Sequence, residues 1–285
     1  MRIASTVEVP PLLPGRVVTL PGRGEIFVRH HRHADPDAPT VLLLHGWTAS
    51  ADLQFFTAYQ ALARDFHVVG VDHRGHGRGL RPNRTFSLED CADDAADVVA
   101  ALGIDNVVTI GYSMGGPISL LFWQRHPELV SGMVLQATAL EWSGTRNERM
   151  RWRVAHVLSP VFRRLSTPRM ITWGLRRAIP RGHELSRYLP WIVGEIRRND
   201  QWMISEAGRA ISRFDARGFA AGIDVPTAFV LTTQDRLVPP HKQRALADEV
   251  RATIVELNGD HLAPMQMPRE YADATRRAAG LVTGR

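Results

Sequence analysis

The sequence has very little cysteine and very little lysine. Cys91 is its only cysteine and Lys242 its only lysine, although abundant arginine gives a net charge of +6. A single cysteine excludes an intramolecular disulfide and is typical of a reducing compartment, so we expect a cytoplasmic protein in which Cys91 is a small packing residue. No apolar run approaches the length that spans a bilayer, and neither internal repeats nor low-complexity tracts are present.

Other absences narrow the class of protein further. Residues 1–15 lack a continuous apolar stretch and are interrupted by prolines, so we do not expect a signal peptide. His31 and His33 form a His-x-His pair, for which we favour an exposed strand end or loop over a metal site. With 285 residues and 44% hydrophobic composition, the chain is expected to form one large domain or one domain that carries an inserted subdomain.

Short apolar strands alternate with amphipathic helices over most of the chain. This alternation predicts an α/β fold, with a mostly parallel, doubly wound sheet and helices on both of its faces. Residues 107–110 are β-branched and apolar without alternation, as expected of a strand that is covered on both sides. The predicted strands are residues 17–20, 26–28, 41–44, 68–71, 107–110, 133–135, 227–231 and 253–257, and the predicted helices are residues 52–64, 88–102, 114–125, 241–250 and 268–280.

The alternation stops between residues 140 and 222, where the pattern is helical and five of the seven tryptophans lie. We therefore predict a core domain formed by residues 1–139 and 223–285, with residues 140–222 as an inserted helical cap. From residue 141 to 222 there are 16 arginines and 7 acidic residues. This cap either presents cations to an anionic or lipid-like substrate or is a solvated surface in an arginine-rich protein. Nucleic-acid binding is not expected, because no recognised module accompanies the charge.

A G-x-S-x-G pattern follows the predicted strand at 107–110 and opens the predicted helix at 114–125. An abrupt strand-to-helix turn requires glycine on both sides of its central residue, here Gly111 and Gly115. This geometry holds a serine in a strained conformation with its hydroxyl exposed above the helix N-terminus. Ser113 is therefore predicted to be a catalytic nucleophile, the alternative being a packing turn of small residues.

A serine nucleophile requires a general base, and His261 is the best placed of twelve histidines. It follows the strand at 253–257, at the carboxyl edge of the sheet where Ser113 also lies. His241 begins a helix after two prolines, where a capping or surface role is sufficient.

The acid that orients the base is predicted to be Asp235, which follows the strand at 227–231 and again lies at the carboxyl edge. Asp260 is adjacent to His261 in sequence and would have difficulty facing its ring. Glu141, after the strand at 133–135, is the serious alternative. The chain order of serine, aspartate and histidine is the one expected on an α/β topology.

Two backbone N–H groups are predicted to stabilise the oxyanion. One belongs to Met114, directly after the nucleophile, and the other to Trp47, in a loop where Gly46 allows close approach. The run from Asp72 to Gly77 lacks the lysine and the glycine spacing of a phosphate loop, so we interpret it as a structural turn with hydrogen bonds from Asp72 and Arg74.

Five short motifs together resemble the α/β-hydrolase fold superfamily: HGW at 45–47, DHRGHG at 72–77, GYSMGG at 111–116, QDRLVP at 234–239 and GDH at 259–261. The resemblance runs in order from about residue 16 to 283 and implies an eight-stranded sheet with a cap inserted after the sixth strand. It also implies the triad Ser113, Asp235 and His261, with Trp47 and Met114 as oxyanion donors. The sequence departs from the family pattern at Gly79-Leu80, a structural position where a serine is frequent.

The HGW and GYSMGG motifs look most like the bacterial esterase and perhydrolase-like branch. A serine nucleophile disfavours the haloalkane dehalogenase and epoxide hydrolase branches, which have an aspartate there. The resemblance implies hydrolysis of a small-molecule carboxylic ester or thioester through an acyl-enzyme on Ser113, without cofactor or metal. Tyr112 and Trp142 are expected to line the substrate pocket. Two alternatives stay open: acyl transfer to an acceptor other than water, and a non-enzymatic small-molecule receptor on the same fold.

Overall fold

A computed structural model of the chain describes residues 7–165 and 167–285, apart from the side chains of residues 159–165. The strands in this part of the chain are β1 (Gly15–Leu20), β2 (Gly24–His31), β3 (Thr40–Leu44), β4 (His67–Val71), β5 (Val107–Tyr112), β6 (Val130–Gln136), β7 (Thr227–Thr232) and β8 (Thr253–Leu257). They form one sheet in the order β1-β2-β4-β3-β5-β6-β7-β8. β1 pairs antiparallel with β2, and β2 with β4, whereas all other neighbours are parallel. This confirms the predicted fold class.

The α-helices of the described residues are α1 (Ala51–Phe55), α2 (Tyr59–Leu62), α3 (Leu88–Ala101), α4 (Gly115–Arg125), α5 (Arg146–Leu165), α6 (Pro168–Leu175), α7 (Leu189–Ile196), α8 (Gln201–Arg213), α9 (Pro240–Glu249), α10 (Ala263–Gln266) and α11 (Pro268–Thr283). The prediction of one helix over residues 52–64 is wrong. The chain forms α1 and α2 instead, because it makes a turn between them in which Ala58 N–H donates to Phe55 O at 2.8 Å. None of the described helices combines the length and the apolar character needed to cross a membrane.

Two hydrophobic clusters cover the two faces of the sheet. In β3, Leu42 and Leu44 belong to one cluster and Val41 and Leu43 to the other. Because successive side chains of a strand point to opposite faces, the sheet is buried on both sides. Cys91 of α3 is buried in the first cluster, which confirms its predicted packing role.

The segment between β6 and β7 leaves the sheet and returns close to its starting point. It contains α5 to α8, as the helical sequence pattern predicts. Its ends lie side by side, since Glu141 forms an antiparallel bridge with Asp215 and Ala216 N–H donates to Leu140 O at 2.8 Å. The division into a core and a cap at residues 140 and 222 stays a prediction.

The turn after β4 is fixed by buried polar side chains, as the sequence predicts. The Asp72 carboxylate accepts the N–H groups of Ala51 and Arg78, both at 2.7 Å. Arg74 binds Asp94 of α3 in a bidentate manner, with Nε and Nη2 each 2.8 Å from a carboxylate oxygen. Both side chains of this ion pair are almost completely buried, at 1% and 4% exposure. The pair therefore ties the turn to α3 away from solvent.

We expect Asp94→Ala to destabilise the protein by about 3 kcal/mol, because it leaves the buried Arg74 guanidinium without its main partner. The measurement is urea unfolding of the wild type and the variant at neutral pH. Asp97→Ala is the matched control on the same helix. The Asp97 side chain is 38% exposed and pairs with Arg23, so its loss should cost about 1 kcal/mol or less. Equal destabilisation by the two variants would contradict a special role for the buried pair.

Candidate active site

The turn from β5 into α4 holds Ser113 in a left-handed backbone conformation, with φ of 53°. Such a value is uncommon for a residue other than glycine and is consistent with the strained turn predicted from the G-x-S-x-G pattern. A Cβ atom on Gly115 would overlap the carbonyl oxygen of Leu44, and one on Gly116 would overlap the side chain of Thr138. The small residues of the motif are therefore required by the close approach of α4 to the ends of β3 and β6.

The structure brings Ser113, His261 and Asp235 into one hydrogen-bonded chain. His261 Nε2 lies 3.0 Å from Ser113 Oγ, and His261 Nδ1 lies 2.8 Å from Asp235 Oδ2. Because a carboxylate only accepts, Nδ1 carries the proton and Nε2 is the acceptor for the serine hydroxyl. The three residues follow β5, β7 and β8, so the carboxyl edge of the sheet assembles them.

The Asp235 carboxylate is held from several sides. Its Oδ1 atom accepts the N–H groups of Leu237 and Val238, at 2.8 and 2.9 Å. Its Oδ2 atom, which faces His261, also accepts the hydroxyl of Thr232 at 3.0 Å, and Gln243 donates to the same hydroxyl at 2.8 Å. Thr232 and Gln243 are only three and eight residues from Asp235, but no sequence pattern indicates which nearby polar side chain reaches a buried carboxylate.

The other candidates for the acid and the base lie in different surroundings. Glu141 pairs with Lys242, whose Nζ is 2.8 Å from Glu141 Oε1, and it does not contact His261. Asp260 Oδ1 accepts the N–H of Leu262 at 2.7 Å, which is a local turn contact. His241 is exposed at the start of α9. Of the predicted acid and its alternative, Asp235 is the one hydrogen-bonded to His261, whereas Glu141 pairs with Lys242.

The loop after β3 lies against the serine. A Cβ atom built on Gly46 would be 3.3 Å from Ser113 Cβ, so the loop approaches as closely as the sequence predicts. The Trp47 ring is fixed by donation from its Nε1 to Ile204 O of α8 at 2.8 Å. Within the part of the chain that the structure describes, neither the Trp47 nor the Met114 backbone N–H donates to a protein acceptor. Both amides are therefore available to an oxygen atom of a ligand.

Three buried histidines lie behind this loop. The ring of His45 is centred 4.3 Å from that of His73 and 5.2 Å from that of His76. His45 Nδ1 donates to Gly46 O at 2.8 Å, and its Nε2 accepts the backbone N–H of His73 at 2.9 Å. The pair of contacts requires a neutral ring. Among the described residues, no group of three or more His, Cys, Asp or Glu has the arrangement of a metal site.

A cavity of about 560 Å³ opens onto Ser113 and His261. Tyr112 and Trp142, the predicted pocket residues, both line it. The Tyr112 hydroxyl donates to the backbone O of His261 at 3.0 Å, and burial raises the pKa of this phenol well above its ordinary value. Most of the remaining wall is apolar and comes from Leu53, Trp152, Ala155, Leu175, Ile192, Ile196, Ile211, Val238, Leu262 and Met265. A volume of this size accommodates a small organic molecule with an apolar moiety.

One wall of the cavity carries charge. Lys242 Nζ lies 2.8 Å from Glu141 Oε1 and 2.6 Å from Glu148 Oε1, and it also donates to the backbone O of Glu141 at 3.3 Å. The three residues belong to α9, to the chain after β6 and to α5, so this ion triad joins α5 to α9. All three N–H groups of the ammonium have a partner.

A family model described as the alpha/beta hydrolase fold matches residues 39–174. Residues of the chain are 37% identical over 102 positions to a putative carbamate hydrolase of Rhizobium rhizogenes, covering 35% of this chain and 38% of that protein. They are 36% identical over 91 positions to a bifunctional esterase/perhydrolase of Acinetobacter calcoaceticus, covering 32% of this chain and 33% of that protein. The matched part spans well under half the length of these relatives.

The three-dimensional similarity extends over nearly the whole chain. The structure of a hydrolase from Pseudomonas aeruginosa superposes with a TM-score of 0.77 at 18% identity, and the match covers 93% of this chain and 98% of that one. At this level of identity the superposition shows a shared fold.

The buried histidines are expected to make the folded protein less stable in acid. Burial lowers the pKa of His73 to about 3 and of His76 to about 4, and it lowers the pKa of His45 well below its usual value. In the unfolded chain a histidine has a pKa near 6.5, so the unfolded state binds more protons below that pH and the folded state loses stability. Burial raises the pKa of Asp72 to about 6, so below that pH the folded state binds a proton at Asp72 that the unfolded state does not yet bind. This offsets about one of the three protons that the histidines take up on unfolding.

We therefore expect the free energy of unfolding to fall from pH 6.5 towards pH 4, by about 2–3 kcal/mol per pH unit at the steepest point. Urea unfolding at a series of pH values measures this slope. His76→Gln should make it shallower by about one proton, whereas His241→Gln, at an exposed position, should leave it unchanged. A slope that is the same in both variants would contradict this account.

Proposed function

Because the chain belongs to the superfamily of the α/β-hydrolase fold, we propose that it is a serine hydrolase that cleaves carboxylic ester or thioester bonds through an acyl-enzyme on Ser113. The hydrogen-bonded chain from Ser113 through His261 to Asp235 is the observation that carries this proposal. It combines a nucleophile, a base and an acid that orients the base, at the mouth of a cavity. The names of two relatives, a putative carbamate hydrolase and an esterase/perhydrolase, support chemistry at a carbonyl carbon.

In the proposed mechanism, Ser113 Oγ attacks the carbonyl carbon while His261 Nε2 takes up the hydroxyl proton. Asp235 accepts the Nδ1 hydrogen throughout and stabilises the imidazolium. The oxyanion of the tetrahedral intermediate accepts hydrogen bonds from the amides of Trp47 and Met114. His261 then returns the proton to the departing alkoxide or thiolate, and a water molecule deprotonated by His261 releases the acid from Ser113. This chemistry requires neither metal nor cofactor.

The shape of the cavity supports an apolar acyl or alcohol moiety as the part of the substrate that binds there. Residues of the inserted segment, among them Trp142, Trp152 and Ile192, form part of the cavity wall. We therefore propose that residues 140–222 act as the cap predicted from the sequence and select the substrate. The basic character of the cap is the reason for proposing an anionic or lipid-like substrate. Acyl transfer uses the same residues with a different acceptor, whereas a receptor would not require the ordered Ser113–His261–Asp235 chain.

The proposed nucleophile can be tested directly. We expect Ser113→Ala to lose labelling by a fluorophosphonate probe and to lower kcat on p-nitrophenyl esters about 10³-fold or more, because the attacking oxygen is removed. Ser131→Ala, at the opposite end of the sheet, is the control and should behave like the wild type. Circular dichroism checks that both variants are folded. Full activity in a folded Ser113→Ala protein would overturn the proposal, and wild type that is neither labelled nor active would favour a receptor.

The choice of acid is tested by two amide substitutions. In Asp235→Asn the amide oxygen can still accept from Leu237 and Val238, so its NH₂ group faces His261 and forces Nδ1 to be the acceptor. The Nε2 atom then carries the proton and cannot accept that of Ser113, which should lower kcat about 10⁴-fold. Glu141→Gln removes one partner of Lys242 and should change kcat about tenfold or less. Steady-state kinetics on a soluble ester measures both, and the reverse ranking would return the role to Glu141.

A further inference from the structure

The outer face of α5 carries apolar side chains that are open to solvent. A surface helix normally turns its apolar stripe towards the core, and α5 does so with Trp152 and Ala155, which line the cavity. A second set of apolar residues recurs at positions i, i+4, i+7 and i+8 and so lies on one face of the helix. These side chains are 40–76% exposed; we call them the outer stripe, and they are Met150, Val154, Val157 and Leu158.

Arginines border the outer stripe on both sides. At 3.6 residues per turn, Arg146 and Arg153 lie on one side of it, and Arg151, which also lines the cavity, lies on the other. None of these three guanidinium groups forms an ion pair with a carboxylate of the described residues. In the core, by contrast, many arginines have such a partner, as Arg125 has in Asp93. Between residues 142 and 183 the sequence contains ten arginines and one acidic residue, Glu148, which pairs with Lys242.

The next helix repeats this combination. On α6, Met170 is 46% exposed and Trp173 is 64% exposed. The guanidinium of Arg177 lies 4.7 Å from the centre of the Trp173 ring. A tryptophan with an apolar ring and a polar N–H, accompanied by a cation, is typical of residues that lie at the boundary between lipid headgroups and acyl chains.

From these observations we propose that the outer stripe and its arginines dock the protein onto an anionic phospholipid surface. Apolar side chains on one face, flanked by unneutralised cations, match a layer of acyl chains beneath negatively charged headgroups. The same pattern does not fit a nucleic acid, which would leave the apolar stripe in water. The outer stripe also shows on which face of α5 the positive charge lies, which composition alone does not show. Docking depends on the surface of α5 and not on Ser113, so it is independent of the proposed hydrolysis.

Vesicle sedimentation tests the proposal with full-length protein. We expect binding to phosphatidylcholine vesicles that contain about one third phosphatidylglycerol, and about 100-fold weaker binding to pure phosphatidylcholine, from three arginines near the surface. Val157→Asp should weaken binding to the anionic vesicles at least about tenfold, because it places a charge in the apolar stripe. The double variant Arg146→Gln/Arg153→Gln should reduce the preference for anionic lipid, as should about 1 M salt, where surface charges are screened.

Matched controls lie on α11, where Leu281 is exposed and Arg277 is at the surface. Leu281→Asp and Arg277→Gln alter the same residue types and should leave vesicle binding unchanged. The proposal is overturned if the wild type does not sediment with anionic vesicles, or if Val157→Asp binds as well as the Leu281→Asp control. It is also overturned if size-exclusion chromatography shows a dimer that Val157→Asp dissociates and that does not bind vesicles, since a second copy would then cover the stripe. Ser113→Ala should bind like the wild type, which separates docking from hydrolysis.

Discussion

The close approach of α4 to the ends of β3 and β6 is the constraint on which the site depends. Because Gly115 and Gly116 have no Cβ atom, α4 can pack this closely and begin two residues after the strained residue Ser113. The hydroxyl group is thereby fixed at the sheet edge rather than on a mobile loop, and the amide of Met114 follows it at the start of the helix. The backbone conformation is costly by itself, so the surrounding packing must maintain it.

The remaining site residues are positioned by the same edge of the sheet. Parallel strands end side by side, so the loops that directly follow β7 and β8 place Asp235 and His261 next to the serine. Hydrogen bonds then restrict each side chain: two backbone amides hold Asp235, and the buried histidine cluster holds the loop that contains Trp47. The geometry of the site is thus a property of the sheet and its buried polar contacts, while the inserted segment shapes the cavity above it.

The strands could be predicted because apolar runs of the sequence mark them. The candidate site residues directly follow these strands in the sequence, and the structure brings Ser113, His261 and Asp235 into one hydrogen-bonded chain. The break between α1 and α2 left no such signal, since every residue of α1 is buried and its apolar spacing imitates a longer helix. Thr232 and Gln243, which contact Asp235, could not be predicted because these hydrogen bonds depend on how the side chains are oriented in the loop and in α9, which the sequence pattern does not specify. The sequence favours Asp235 over Glu141, but both follow strands at the same edge, and only the structure shows which of them is hydrogen-bonded to His261.

The ion triad of Lys242 has a consequence for chemical modification of the protein. Lys242 supplies the only side-chain amine of the chain, and it is 14% exposed with all three N–H groups engaged by Glu141 and Glu148. Acylating reagents usually modify many surface lysines, whereas here they have a single side-chain target whose three N–H groups are already engaged. Modification at that amine would report separation of α5 from α9, so an amine-directed label would serve as a probe of this contact rather than as a general surface label.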